Sequence, residues 1–158
     1  MSNQKVFIDL DGVIFDTEQR VVERKNLRPD LSWNEFFNEL DWFELFAESK
    51  VINNAIDYIL EGQKKSKQIA ILTKIHTLIE MEAKVNALRS RKVEVPIYFV
   101  PPHIKKGQIY LPTNGEVLID DSIKNLIDWQ QAGGKSIYFN RFESINQFET
   151  VQSLRRIL

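Results

Sequence analysis

Cysteine is absent from this chain of 158 residues, and histidine occurs only twice. Without cysteine the protein has no disulfide bonds, no thiolate metal site and no thiol nucleophile. The two histidines, His76 and His103, are expected to be surface residues without a catalytic role. Thiol chemistry is therefore excluded as the mechanism.

An excess of charge of one sign is also missing. The chain has 21 lysines and arginines against 22 aspartates and glutamates, for a net charge of −1. This balance gives no indication of the positive surface with which proteins bind nucleic acids or anionic membranes. No apolar run approaches the roughly 18 residues that span a bilayer, and the N-terminus lacks a signal-peptide pattern. We expect a cytoplasmic protein with neither a nucleic-acid partner nor a membrane partner.

The remaining composition is that of an ordinary globular protein. Hydrophobic residues make up 43% of the chain and charged residues 27%, which is a common balance. At this length the chain is expected to fold around one substantial core. Composition does not decide between a monomer and a homodimer, and both stay open.

The most informative segment lies near the N-terminus, where an apolar run from Val6 leads into Asp9, Asp11 and Gly12. The run predicts a buried strand, and the glycine permits a sharp exit from it. In open α/β sheets, ligands bind at the carboxyl ends of the strands. Two carboxylates at that place suit a hard, oxygen-seeking cation such as Mg²⁺.

A second acidic pair, Asp120 and Asp121, ends another apolar run at 117–119. Adjacent parallel strands would bring this pair beside Asp9 and Asp11. Four carboxylates at one point repel one another strongly, and a divalent cation relieves that repulsion. The two pairs together predict a Mg²⁺ site at one edge of the sheet.

Apolar segments and helical patterns alternate along most of the chain. Further strands are predicted at 69–73, 97–100 and 136–139. The first of these ends in the hydroxyl of Thr73, and Lys105 and Lys106 follow the second. This alternation predicts an α/β, Rossmann-like, three-layer fold in which helices cover both faces of a parallel sheet.

Two of the predicted helices depend on apolar residues at helical spacing. The helix after Thr73 is assigned an apolar face of Ile75, Leu78, Ile79, Val85 and Leu88. On that assignment, Lys84 lies on the solvated side. A helix at the end of the chain is predicted from Phe148, Val151, Leu154 and Ile157.

Residues 17–65 interrupt the alternation and contain no convincing buried strand. They hold a cluster of aromatic residues: Trp33, Phe36, Phe37, Trp42, Phe43 and Phe46. Ser32 and Glu35 have the spacing of a capping box, which predicts a helix start. We interpret 17–65 as a small helical cap inserted after the first strand, and 1–16 with 66–158 as the core domain. Most of the aromatic side chains should hold the cap together, and one or two should face the cleft and stack on a substrate ring.

The order of these groups resembles the haloacid dehalogenase (HAD) superfamily of phosphotransferases. Asp9-Leu10-Asp11-Gly12-Val13 is similar to the first motif of that family, and Thr73 to the second. Lys105 or Lys106 fits the third motif, and Asp120-Asp121 the fourth. The resemblance covers four motifs in order between Val6 and Ser122, and many members of the family place a cap between the first two.

Within the superfamily the chain looks most like the 5'(3')-deoxyribonucleotidase-like group. The supporting segments are Leu118-Ile119-Asp120-Asp121 after Gly115, and Trp42-Phe43-Glu44-Leu45. Two positions depart from the group. Lys74 stands where a small hydroxyl residue is common, and Thr17 stands where an aromatic residue often stacks on the base.

The resemblance implies a Mg²⁺-dependent phosphomonoester hydrolase. Asp9 would attack phosphorus and form an aspartyl-phosphate. Asp11 would protonate the leaving oxygen and then take a proton from water, with a pKa raised by the neighbouring carboxylates. Thr73 would bind a phosphate oxygen, and Lys105 or Lys106, with Lys106 favoured, would neutralise developing charge.

The resemblance also implies the ligands of the metal and of the substrate. Mg²⁺ would be held by Asp9, the backbone carbonyl of Asp11, and Asp121 with Asp120 in support. The substrate would be a small phosphorylated molecule, with a 5'-nucleotide preferred. The residues expected to contact it are Thr73, Lys74, Trp42 and Phe43.

Three alternatives remain open at this stage. The substrate can instead be a sugar phosphate or a molecule like phosphoglycolate. The chain can also be a binding protein for phosphorylated ligands on the same fold, without turnover. A phosphomutase would need a bisphosphate activator.

Overall fold

The computed structural model of the protein describes residues 4–158, and the first three residues of the predicted core lie outside that range. Six strands form one sheet: β1 Val6–Ile8, β2 Ile69–Lys74, β3 Ile97–Val100, β4 Val117–Asp120, β5 Lys135–Phe139 and β6 Glu149–Val151. The spatial order is β3-β2-β1-β4-β5-β6, and every neighbouring pair is parallel. The predicted parallel α/β fold is confirmed.

Seven helices accompany the sheet in the described part of the chain. They are α1 Thr17–Asn26, α2 Trp33–Glu39, α3 Trp42–Glu48, α4 Ala55–Lys64, α5 Leu78–Arg89, α6 Lys106–Ile109 and α7 Ile123–Gln131. A 3-10 turn, Leu154–Arg156, follows β6. No helix within residues 4–158 has the length and apolarity required to cross a bilayer.

In strands β1 to β5, alternate residues enter two hydrophobic clusters, one on each face of the sheet. Phe7 and Leu118 belong to one cluster, with Trp129 of α7. Ile8 and Ile119 belong to the other, with residues of α3, α4 and α5. Side chains alternate across a strand, so the near-continuous apolar runs of the sequence fill both layers around the sheet.

The segment between β1 and β2 is helical, as predicted. The hydroxyl of Ser32 accepts from the backbone N–H of Glu35, and the Glu35 side chain accepts from the backbone N–H of Ser32, so the predicted capping box is confirmed. The chain segments that enter α1 and leave α3 are hydrogen-bonded to each other. Ile52 N–H donates to Ile14 O, and Lys50 N–H donates to the Asp16 carboxylate. The assignment of residues 17–65 to a separate cap stays a prediction.

The predicted C-terminal helix is wrong. Residues 149–151 form the edge strand β6, which pairs with β5, and only a 3-10 turn follows. Phe148 packs in the cluster on one face of the sheet and Leu154 in the cluster on the other. One helical face cannot reach both clusters, whereas a strand that passes the edge of the sheet can.

Candidate active site

Three carboxylates meet at the carboxyl ends of β1 and β4. Asp9 follows β1, Asp120 is the last residue of β4 and Asp121 follows it. One oxygen from each carboxylate lies within 4.8 Å of the others. Gly12 has a φ of +81°, and a Cβ at this position would lie 2.1 Å from an oxygen of Asp121. Only glycine therefore allows the loop after β1 to approach the acidic cluster this closely.

A buried lysine pairs with two members of this cluster. Lys106 Nζ lies 2.8 Å from Asp9 Oδ1 and 2.7 Å from Asp120 Oδ2, and its side chain is 1% exposed. Burial alone would lower the pKa of Lys106, but the charges of Asp120 and Asp9 raise it above its ordinary value. Of the two lysines left open by the sequence, Lys106 is therefore the one in the site.

Lys105 lies outside the site, which corrects its inclusion among the candidate catalytic residues. Its side chain is 55% exposed and pairs with Asp128 on α7. Lys105 is the residue before α6, and Lys106 is the first residue of that helix. Successive residues at a helix start point in different directions, so only one of the two can reach Asp9.

Asp11 faces a different set of partners. Its carboxylate accepts hydrogen bonds from the Thr17 hydroxyl at 2.5 Å and from Lys84 Nζ at 2.8 Å. Thr73, which is fully buried, accepts from the same Lys84 Nζ at 2.9 Å. The Asp11 carboxylate is therefore not part of the acidic cluster, and its backbone carbonyl remains the predicted metal ligand.

The expected rise in the pKa of Asp11 is not found. Burial raises its pKa, but the charge and hydrogen bond of Lys84 outweigh that effect, with help from the Thr17 hydrogen bond and the charge of Lys106. The net pKa lies below the ordinary value. The sequence-based expectation was wrong because it counted the neighbouring carboxylates and assigned Lys84 to the solvent.

Lys84 is the main residue that sequence analysis misplaced. It is fully buried on α5, whereas Leu78 and Ile79 of the predicted apolar face are 75% and 56% exposed. The buried face of α5 consists of Glu80, Ala83, Lys84, Ala87 and Leu88. These positions follow the i, i+3, i+4, i+7, i+8 pattern of one helix face. The spacing of Ala83, Ala87 and Leu88 indicates this buried face in the sequence. The larger apolar residues Leu78 and Ile79 favoured a different face.

Negative charge on the acidic cluster is disfavoured in the metal-free protein, even with Lys106 beside it. Burial and the charge of Asp120 raise the pKa of Asp9 to about 7, against the opposing charge of Lys106. Burial, the charges of Asp9 and Asp120, and a hydrogen bond with Glu18 raise the pKa of Asp121 to about 10. Oxygen ligands from crowded carboxylates are what a hard divalent cation binds. The residues present therefore fit Mg²⁺.

A cavity of about 470 Å³ opens above these carboxylates. Trp33, Phe37, Trp42 and His76 form one side of it, which we call the aromatic wall. The Phe37 ring stacks on His76 with centroids 3.8 Å apart and on Trp42 with centroids 5.9 Å apart. Lys74 and Lys124 also line the cavity. Burial and the charges of Lys106 and Lys124 lower the pKa of Lys74.

The other aromatic residues of the predicted cap do not line this cavity. Phe36 and Phe46 are buried, as expected of residues that hold the helices together. Phe43, predicted to contact the substrate, lines a separate groove beside Ala83 and Ala87 of α5. Neighbouring helix residues point about 100° apart, so Phe43 is directed away from the cavity that Trp42 lines.

Solved structures with the same fold are hydrolases of the HAD superfamily. One is a subfamily IA hydrolase from Geobacter sulfurreducens, with 18% identity, a TM-score of 0.66, and coverage of 98% of this chain and 97% of that one. A HAD hydrolase from Bacillus subtilis, described as bound to magnesium, has 13% identity and a TM-score of 0.65, over 98% and 96% of the two chains. A D,D-heptose 1,7-bisphosphate phosphatase from Burkholderia thailandensis has 11% identity and a TM-score of 0.60, over 98% and 95%.

No protein-family model matches the chain, and no match was found among curated proteins. The structural matches nevertheless extend over nearly the full length of this chain and of each neighbour. The narrower likeness to deoxyribonucleotidases finds no support among these neighbours. By its parallel sheet and the order of its elements, the protein has the fold of the HAD-superfamily hydrolases.

Proposed function

We propose that the protein is a Mg²⁺-dependent phosphatase that hydrolyses a small phosphomonoester through an aspartyl-phosphate. One observation carries the proposal. Asp9 lies on the floor of the cavity, held by the buried ammonium of Lys106, which also pairs with Asp120. A carboxylate fixed at a strand end beside a cation can attack an anionic phosphate that it would otherwise repel.

The chain's own groups divide the reaction among them. In the first step, a bond forms between an Asp9 oxygen and phosphorus, and the bond from phosphorus to the ester oxygen breaks. The electron pair stays on the ester oxygen, which takes a proton from Asp11. In the second step, Asp11 takes a proton from water as the water attacks phosphorus, and Asp9 is released. Lys106 and Lys74 supply positive charge to the phosphate oxygens.

Asp11 must change its protonation between these steps. In the ligand-free protein its lowered pKa keeps it a carboxylate, which is the form that accepts a proton from water. A bound phosphate dianion adds negative charge next to it, and a like charge raises the pKa of a carboxyl group. Substrate binding therefore favours the protonated form that the first step requires.

Asp9 and Asp121, with the backbone carbonyl of Asp11 and support from Asp120, would hold the Mg²⁺. When bound, the cation supplies charge that offsets the repulsion between the anionic nucleophile and the anionic phosphate. The donor set consists of carboxylate and carbonyl oxygens, which is the chemistry that Mg²⁺ prefers.

The metal proposal predicts a specific dependence of stability on pH. Folding raises the pKa of Asp9 from 3.8 to about 7 and that of Asp121 to about 10. The metal-free folded state therefore binds more protons than the unfolded chain, and its free energy of unfolding should decrease as the pH rises through this range. The lowered pKa of Asp11 changes the free energy of unfolding only at pH values below about 3.8, where this carboxylate becomes protonated.

Mg²⁺ competes with these protons, so the increase in melting temperature on adding Mg²⁺ should be larger near pH 8 than near pH 5. Thermal melts with Mg²⁺ and with EDTA at both values measure this difference. An equal shift at the two values, or no shift, would contradict the assignment of the cluster to Mg²⁺.

The aromatic wall supports a substrate that carries a ring, and a 5'-nucleotide remains the preferred candidate. Trp33 and Phe43 provide a matched test because they are similarly exposed, at 48% and 43%, but only Trp33 lines the cavity. Stacking on one ring contributes on the order of 1 kcal/mol, or about fivefold in affinity. Trp33→Leu should raise the KM for a 5'-nucleotide about fivefold, and Phe43→Leu should leave it unchanged.

The measurement compares the KM values of both variants for a 5'-nucleotide and for an alkyl phosphate without a ring. Neither variant should alter the KM for the alkyl ester. If Trp33→Leu affects both esters equally, or neither, the wall does not select a ring.

A sugar phosphate is the second candidate, since one structural neighbour is described as a heptose bisphosphate phosphatase. A panel of nucleotides, sugar phosphates and short-chain phosphate esters with Mg²⁺, read as released phosphate, distinguishes the substrate classes. Release from at least one ester supports the proposed function. Binding of phosphate without release from any ester would identify a binding protein instead.

A further inference from the structure

A chain of polar contacts runs from the aromatic wall to Asp11, and its two central residues, Glu80 and Lys84, are buried. His76 contacts Glu80 twice: its backbone N–H donates to Glu80 Oε1 at 2.7 Å, and its Nδ1 lies 2.9 Å from the same oxygen. The other oxygen of Glu80 lies 2.8 Å from Lys84 Nζ, which lies 2.8 Å from Asp11 Oδ2. Glu80 is 2% exposed and Lys84 is 0% exposed.

The contacts of Lys84 fix its ammonium at one point. Four oxygens lie within 2.9 Å of Nζ: those of Asp11, Glu80, Thr73 and the backbone carbonyl of Lys74. Two of them belong to β2 and one to the loop after β1, so the lysine ties α5 to the floor of the cavity. A buried charge held by this many partners has little freedom to move.

The outer end of the chain is also held. Phe37 covers the His76 ring at a centroid distance of 3.8 Å, with an angle of 17° between the planes. Thr77 caps α5 by accepting from the Glu80 backbone N–H at 3.1 Å. Glu80 therefore begins from a fixed backbone position and has one carboxylate oxygen committed to His76 and the other to Lys84.

We propose that His76, Glu80 and Lys84 are positioning residues that hold the Asp11 carboxylate in line with the leaving oxygen, an inference that rests on the proposed function. Thr17 holds one oxygen of Asp11, and Lys84 holds the other. The chain thus fixes the direction of proton transfer to the ester oxygen as the bond from phosphorus to that oxygen breaks. It does not bind the phosphate itself.

Leaving-group dependence tests this role, because misplacing a general acid affects only esters whose oxygen needs a proton. p-Nitrophenyl phosphate and phenyl phosphate carry the same ring, but the phenolate of the second is a far poorer leaving group. Loss of general-acid assistance costs about a hundredfold or more, and partial misplacement should cost about tenfold. We expect Lys84→Met and Glu80→Gln to lower kcat about tenfold more for phenyl phosphate than for p-nitrophenyl phosphate.

Glu82→Gln is the matched control, because Glu82 is an exposed glutamate on the same helix. It should leave kcat for both esters at the wild-type values. Since Lys84→Met removes a buried charge and can prevent folding, two variants at the partly exposed His76 provide a second test. His76→Phe keeps the ring but removes the Nδ1 contact, and His76→Asn keeps a polar atom for Glu80 but removes the ring.

His76→Phe should shift the ratio of the two kcat values several-fold in the direction of Lys84→Met, and His76→Asn should restore most of the wild-type ratio. Equal losses for both esters in every folded variant would overturn the inference and leave the chain a structural element. If the wild-type protein releases phosphate neither from these two esters nor from any other ester in the panel, the proposed function fails and the inference fails with it. Wild-type turnover with an unchanged ratio in the variants refutes the inference alone.

Discussion

Asp9→Asn is expected to abolish phosphate release while the protein stays folded. Asparagine has nearly the same shape as aspartate and can still accept a hydrogen bond from Lys106, but its amide cannot attack phosphorus. The substitution also removes a carboxylate whose charged form is disfavoured in the metal-free protein. The metal-free variant should therefore melt at the wild-type temperature or above it, and the stabilisation by Mg²⁺ should shrink.

Turnover under saturating substrate, with melting curves in EDTA and in Mg²⁺, measures both effects. Asp57→Asn, at an exposed position of α4, serves as the control and should retain wild-type turnover. An Asp9→Asn protein that keeps more than about a tenth of the turnover has a barrier raised by less than about 1.4 kcal/mol. Such a result would exclude Asp9 as the nucleophile.

Lys106→Met is expected to lower turnover about a hundredfold, the effect typical of losing one group that stabilises developing charge. Methionine keeps the volume of the buried stem but removes the ammonium that pairs with Asp9 and Asp120. Breaking a buried ion pair on one side also destabilises a protein by about 3–5 kcal/mol. The melting temperature should therefore fall, and Mg²⁺ should restore part of it.

Lys105→Met is the control one position away. Its exposed side chain pairs only with Asp128 among the described residues, and exposed ion pairs contribute about 1 kcal/mol or less. Its turnover should match the wild type. Equal effects of the two substitutions would mean that the cation of the site lies elsewhere, and Lys74 would be the next residue to change.

The meeting of Asp9 with Asp120 and Asp121 could be predicted from the sequence because it follows from strand order. Apolar runs that end in Asp9 and Asp120 predict strands whose carboxyl ends meet, and the sheet places β1 next to β4. The approach of Gly12 to Asp121 follows from the same geometry. Short-range patterns sufficed here because parallel strands bring their ends together whatever lies between them.

The partners of Asp11 could not be predicted in the same way. Lys84 was assigned to the solvent because lysine is rarely buried without partners, and those partners, Asp11 and Glu80, are identified only by the packing of α5 against the sheet. The direction of the pKa shift of Asp11 depends on that placement. One misplaced helix face therefore led to the wrong electrostatics at the site.

The prediction of a C-terminal helix failed for a related reason. Spacings of three between apolar residues are consistent with a helix, but they do not specify which cluster each side chain enters. Phe148 and Leu154 lie on opposite faces of the sheet, and Thr150 and Val151 are β-branched residues that favour a strand. The segment is a strand because it pairs with β5 at the edge of the sheet. That pairing depends on the tertiary structure, which local sequence patterns do not specify.

The central proposal is that Asp9 carries the phosphoryl group during turnover. Acid quenching during turnover with Mg²⁺, followed by digestion and mass spectrometry, tests it directly, because an acyl phosphate survives briefly in acid. We expect the peptide that contains Asp9 to gain the mass of one phosphoryl group, and we expect no such gain in the Asp9→Asn protein. Phosphate release without a phosphorylated Asp9 peptide, or a phosphoryl group on another residue, would contradict the proposal.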